Sequence, residues 1–143
     1  MPNVTVSKEL PVSKEQAWAL LTDLSRYEEW LSLHQGWRSE LPAELSQGAK
    51  VTEIIAIMGM ANKIEWNFDS YEAPSTVRMS GTGMAGVKIA FTLSVQENGS
   101  GSAASIDADF SGQMVVGAIG TAIAKTARKE LEQSLDTFAG LLG

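Results

Sequence analysis

A single histidine, His34, stands between two tryptophans, Trp30 and Trp37. Histidine is the residue type that takes up and releases protons near neutral pH, so His34 is the first candidate for a general acid or base. Such a group must come within ~2.6–3.2 Å of its substrate and needs a second polar group to orient it. The expectation is that His34 lies near the rim or surface of the Trp30–Trp37 segment, without a carboxylate partner inside a cavity. Thr121 and Tyr71 are the other polar residues open to a catalytic reading. Asp107 and Asp109 share a strand face, as paired carboxylates would, but they alternate with Ile106, Ala108 and Phe110, so that face is read as solvated. Asp23 with Arg26 reads as a cap at a corner between helices, and no Ser-His-Asp arrangement is supported.

The run Gly81-Thr82-Gly83-Met84-Ala85-Gly86 matches G-x-G-x-x-G. A dinucleotide loop must open a helix, because the pyrophosphate sits on the helix N-terminus. The chain continues instead as VKIAFTLSV, a strand by its period and composition, so the run is read as a hairpin loop carrying Met84 at the rim of any cavity. With no cysteine and one histidine, the usual zinc ligands are missing, and neither a metal nor a cofactor is expected. The net charge of −6, with no basic block, disfavours a nucleic-acid partner. No apolar stretch approaches the ~20 residues of a membrane span, and no basic leader precedes an apolar run. The expectation is a cytoplasmic protein without stable membrane insertion.

These residues must be positioned by the elements around them. At 143 residues the chain is read as one domain, 1–143, long enough to bury a core without staples. Val4, Val6 and Leu10 mark a first strand, ended by Pro11. Ser13-Lys14-Glu15-Gln16 is a capping box, and Ser25-Arg26-Tyr27-Glu28 reads as a second, restarting the chain as a short helix to about Leu33. The segment after it, bracketed by Gly36 and Pro42, is too interrupted for a long helix. From Val51 the period becomes two. Ile64, Trp66 and Phe68 alternate with polar residues, as do Val77 with Met79, then Val87 to Val95, then Ile106 to Phe110. One apolar face per strand means an antiparallel sheet with one side in water.

The last thirty residues carry the rest. Val116, Ile119, Ile123, Ala127, Leu131, Leu135, Phe138 and Leu142 recur at spacings of three and four, the stripe of one long helix from near Met114 to about Leu141. Its first half is apolar or small all round and holds Gly117 and Gly120, which implies close approach by something or a local kink. The fold class is therefore α+β: a curved antiparallel sheet of about six strands wrapped around a C-terminal helix, with two short helices between strands 1 and 2. Trp66, Phe68, Met79, Phe91 and Phe110 are expected to face Val116, Ile119 and Ile123, with a cavity or cleft beside Gly117 and Gly120. Met58 at a turn and Trp30 or Trp37 after the helix pair are expected at its edge.

Pro11-Val12-Ser13 with Ala17-Trp18, Thr22-Asp23-Leu24 with Tyr27 and Trp30, Gly48, and the tail helix give the chain a resemblance. It resembles the helix-grip superfamily of START lipid-transfer domains, Bet v 1-like proteins and polyketide cyclases, and within it small actinobacterial single-domain members. The resemblance covers essentially the whole chain and implies a hydrophobic cavity between sheet and tail helix. It does not imply one function. Binding or carriage of a small hydrophobic molecule, whether lipid, polyketide-like or aromatic, fits the apolar inward set. The alternatives are an aromatase/cyclase-type enzyme, which would need acid–base groups facing the cavity, and a protein-interaction module.

Overall fold

The computed structural model describes residues 3–57, 59–83, 86–112 and 115–142. The strands are β1 (Asn3–Leu10), β2 (His34–Trp37), β3 (Lys50–Ile57), β4 (Met60–Glu72), β5 (Thr76–Thr82), β6 (Lys88–Asn98) and β7 (Gly101–Ser111). They form one antiparallel sheet in the order β1-β7-β6-β5-β4-β3-β2. Helix α1 (Lys14–Leu21) and a 3-10 helix, Leu24–Glu29, lie between β1 and β2, and α2 (Gly117–Leu142) follows β7. The sheet has seven strands where about six were expected. The addition is β2, four residues at the sheet edge with a bulge between His34 and Gly36. A strand that short, with a glycine inside it, shows no period-2 pattern.

Apart from β2, each strand forms because alternate residues can be buried on one face. In β7, Ser102, Ala104, Ile106, Ala108 and Phe110 point inward. Asp107 and Asp109 point outward, where Asp107 accepts from the Thr5 hydroxyl and Asp109 from the Asn3 amide, each at 2.6 Å. The solvated reading of that acidic face therefore holds. The curl of the sheet can be seen from the bonds that α2 makes. Arg128 Nη1 donates to the Thr5 carbonyl of β1 at 3.2 Å, and the Ser32 N–H, just before β2, donates to Ser134 Oγ at 2.9 Å. As β1 and β2 are opposite edges, one helix can reach both only if the sheet wraps round it.

The expected box at Ser13 and Gln16 caps α1 with both of its bonds. The second is different. Asp23, not Ser25, caps the 3-10 helix, its carboxylate accepting from the Ser25 N–H at 3.2 Å, and that helix ends at Glu29 rather than near Leu33. Arg26 pairs with Glu29, not with Asp23.

Helix α2 starts later than expected. Gly117 has φ +60, a left-handed conformation that favours glycine, and the helix begins there. Its buried face runs through Gly120, Ile123, Ala127, Leu131, Ser134, Leu135 and Phe138. Val116 and Ile119 do not face the sheet, contrary to expectation: they are 63% and 58% exposed. Val116 precedes the helix, and Ile119 is one residue, about 100° of rotation, off the Gly120 line.

Candidate functional site

Strand β3 carries a carboxyl side chain into the core. Val51, Glu53 and Ile55 share its inward face, and Glu53 is completely buried. Two ring nitrogens converge on its carboxyl group: Trp66 Nε1, from β4, donates to Oε1 at 2.8 Å, and His34 Nδ1, from β2, is hydrogen-bonded to Oε2. The His34 side chain is 4% exposed. His34 thus lies in the interior beside a buried carboxylate, which overturns its expected place at the rim without such a partner. The bulge after His34 and the antiparallel pairing of β2 with β3 put the ring there. A carboxyl group on Nδ1 fixes the ring's orientation and directs Nε2 away from Glu53. His34, Glu53 and Trp66 line none of five surface clefts formed by the described residues.

Aromatic rings enclose the pair. Tyr27 sits at the centre, its ring 5.3 Å from Trp30, 5.6 Å from Trp37 and 6.2 Å from His34. Trp30 packs on Phe138 of α2 at 5.0 Å and closes the end of the core, its Nε1 buried with no acceptor among the described residues. Trp37 is half-buried against His34 and donates from Nε1 to the Leu24 carbonyl at 2.9 Å. The Tyr27 hydroxyl donates to the Leu21 carbonyl at 3.1 Å.

Burial pushes Tyr27 well above the ordinary phenol range, and the charges of Glu53 and then Asp23 push it the same way. In the unfolded chain the phenol ionises near pH 10.0. A group raised in the folded state contributes stability that is whole below that pH and declines as pH rises above it. Urea unfolding followed from neutral pH past 10.0 should therefore show an alkaline fall that Tyr27→Phe flattens. At neutral pH that variant should lose about 1 kcal/mol, because the Leu21 carbonyl loses its donor. An unchanged alkaline slope in Tyr27→Phe would count against this role.

The apolar opening lies elsewhere. A cleft of about 520 Å³ borders the start of α2, lined by Asn3, Gly112, Val115, Val116, Gly117, Gly120, Thr121 and Ala124. It adjoins both Gly117 and Gly120. Trp66, Phe68, Met79, Phe91, Phe110 and Ile123 do not line it; they are buried in the core that α2 covers, with Trp66 and Phe91 in ring contact at 5.2 Å. Met58 lies outside the described residues, as do Met84 and Met114. Two glycines of the 81–86 run serve packing: a Cβ at Gly81 would sit 2.6 Å from Ile64 Cγ2, and one at Gly83 2.8 Å from Ile64 Cδ1. Strand β6, not a helix, follows them. Among the described residues there is no cluster of three or more residues able to hold a metal.

Sequence reasoning passed over Glu53 and Tyr27. The signal for Glu53 was present, since it is in phase with Val51 and Ile55. Tyr27 offered no comparable signal.

A family model described as polyketide cyclase / dehydrase and lipid transport matches residues 1–143. The chain is 36% identical over 143 residues to the uncharacterized protein Rv1546 of Mycobacterium tuberculosis, covering all of both chains. It is 35% identical over 138 residues, 96% of each chain, to a protein of the same organism named Toxin Rv0910. Among solved structures, a START superfamily protein from Mycobacterium smegmatis superposes with a TM-score of 0.79 at 16% identity, over 99% of this chain and 97% of that one. Ara h 8.0201 does so at 0.70 and 9% identity, over 98% and 96%. At those identities the structures speak for the helix-grip fold alone, and the match along the full length of the sequence goes further: the chain belongs to the polyketide cyclase / dehydrase and lipid transport family.

Proposed function

We propose that this protein binds a small hydrophobic molecule, a lipid or an aromatic or polyketide-like compound, at the cleft beside the start of α2. The observation that carries the reading is the make-up of that cleft: Val115, Val116, Gly117, Gly120 and Ala124 give it apolar and small walls, and Thr121 and Asn3 supply polar groups at its edge. Binding of an apolar ligand draws on area removed from water, roughly 25 cal/mol per Å², with few oriented polar groups needed. In this reading the buried sheet residues Trp66, Phe68, Met79, Phe91 and Phe110, with Ile123, belong to the core under α2 and meet ligand only if the first turns of α2 move. Trp30 and Trp37 hold the far end of that core.

The test is titration with an anilinonaphthalene sulfonate and with fatty acids of increasing length. Saturable binding at one site is expected. Gly120→Leu fills the cleft and should weaken it at least tenfold, by the loss of roughly 1.4 kcal/mol or more. Thr121→Trp, at an exposed position on the same wall, should do the same while leaving the circular dichroism of the protein unchanged. Full affinity in both variants would sink the proposal.

One observation favours a second reading, an aromatase/cyclase-type enzyme: the His34–Glu53 pair is the oriented acid–base couple that such chemistry needs. It requires substrate within reach of Nε2, and the cleft is not lined by His34. The first reading therefore stands ahead of it.

A further inference from the structure

The charges of this protein are unevenly placed. The hairpin between β3 and β4, the turn between β5 and β6, and the link from β7 into α2 all lie at one end of the sheet, as the antiparallel pairing requires. The described residues of 57–64, 81–90 and 110–129 supply that end, and the sequence of these stretches contains none of the 17 acidic residues of a chain whose net charge is −6. Their basic residues include Lys63, Lys88 and Lys125, all exposed, none in an ion pair among the described residues. Lys125 is about 12 Å along α2 from Gly117.

The same end carries three of the four large apolar side chains most exposed among the described residues: Met60 at 56%, Val116 at 63% and Ile119 at 58%. Met60 is in phase with the inward-facing Ile64 and Trp66 but lies beyond the reach of the core. From Gly112 to Ala124 no residue is charged. Of the carboxylates nearest this end, Asp109 is engaged by Asn3, Glu130 by the Ser32 hydroxyl, and Glu65 stands further back along β4.

We infer that this end of the molecule docks reversibly on an anionic lipid surface, Met60, Val116 and Ile119 entering the headgroup region and Lys63, Lys88 and Lys125 meeting lipid phosphates. An apolar tip ringed by lysines is the arrangement that interfacial binding uses, area and charge contributing together. The acidic remainder of the protein is repelled by such a surface, which orients the docked molecule with this end down. Self-association fits less well, because two copies meeting here would bring their lysines face to face. No helix of the described residues is long and apolar enough to cross a membrane, so docking is peripheral. The inference does not rest on ligand binding, although docking would present the cleft to the bilayer.

The experiment is flotation of the full chain with vesicles of phosphatidylcholine alone and of phosphatidylcholine with phosphatidylglycerol in equal parts. The protein should float with the anionic vesicles only, and added salt should release it. Ile119→Asp, at an exposed site that does not line the cleft, should abolish flotation. Lys63→Glu with Lys88→Glu should weaken it at least tenfold, at about fivefold or more per site. Both variants should keep wild-type probe binding, so that loss of docking and loss of the cleft are read separately. Absence of flotation by the wild type, or flotation indifferent to lipid charge and to these substitutions, overturns the inference. So does a dimer in sedimentation that Ile119→Asp dissociates while no vesicle is bound.

Discussion

Glu53→Ala is expected to cost about 3–5 kcal/mol of folding stability, near the top of the range for a single substitution. The substitution removes the acceptor of two buried donors at once, Trp66 Nε1 and His34 Nδ1. No water-exposed route remains for either, because both side chains lie inside the sheet. Glu53→Gln should cost much less, since its amide oxygen still accepts from Trp66. Replacing both members by apolar residues of similar volume, His34→Leu with Glu53→Met, should recover most of the loss, because it is the unpaired buried group that is expensive. Urea unfolding of the four proteins gives the comparison. Adding His34→Ala to the set separates a structural role of the His34–Glu53 pair from a catalytic one. If it is a clamp joining β2, β3 and β4, stability falls in the single variants while affinity for the apolar probe is retained in whatever fraction is folded. If it is catalytic, His34→Ala would in addition lose turnover on an aromatic polyketide-like substrate in the folded fraction.

That pair also shows where a single sequence stops being informative. The strands were legible because a half-buried strand writes its two faces into alternate residues, and β6 and β7 do so along their whole length. The α2 stripe was legible from Ile123 to Phe138 for the same kind of reason. Glu53 was not, although its phase with Val51 and Ile55 placed it inward, because its partners come from separate strands. His34 lies nineteen residues before it and Trp66 thirteen after, and only the β2–β3–β4 pairing brings them together. The β2 strand left no pattern to read, having four residues and a bulge. The cleft was anticipated beside Gly117 and Gly120, but not its walls. Those depend on the left-handed turn at Gly117, which sets where the helix begins and which side chains of its first turn are left outside.

The two halves of α2 should respond to truncation in opposite ways. Phe138→Ala is expected to destabilise the protein by about 3–5 kcal/mol, the cost of deleting a large side chain from a close-packed site that cannot collapse. Phe138 is fully buried and stacks against Trp30, whose ring in turn supports Tyr27 and, through it, the surroundings of His34. Its neighbours Leu131 and Leu135 are equally buried, and Ser134 bonds to Ser32, so this end of the helix is held on several sides. Ile119→Ala, at the other end, should stay within about 0.5 kcal/mol of wild type, because that side chain is mostly in water. Sequence pattern alone puts both residues on one stripe and gives them equal weight. Urea midpoints of the two variants separate them, and hydrogen exchange should follow the same gradient, slow around Leu131 to Phe138 and fast from Gly117 to Thr121. Equal costs at the two positions would mean that the first turns of α2 are as firmly packed as the last, and would remove the physical basis for a ligand entering there. A large cost at Phe138 with none at Ile119 leaves the start of α2 free to serve something other than stability, which is what an exposed, uncharged helix end beside an apolar cleft is suited to do.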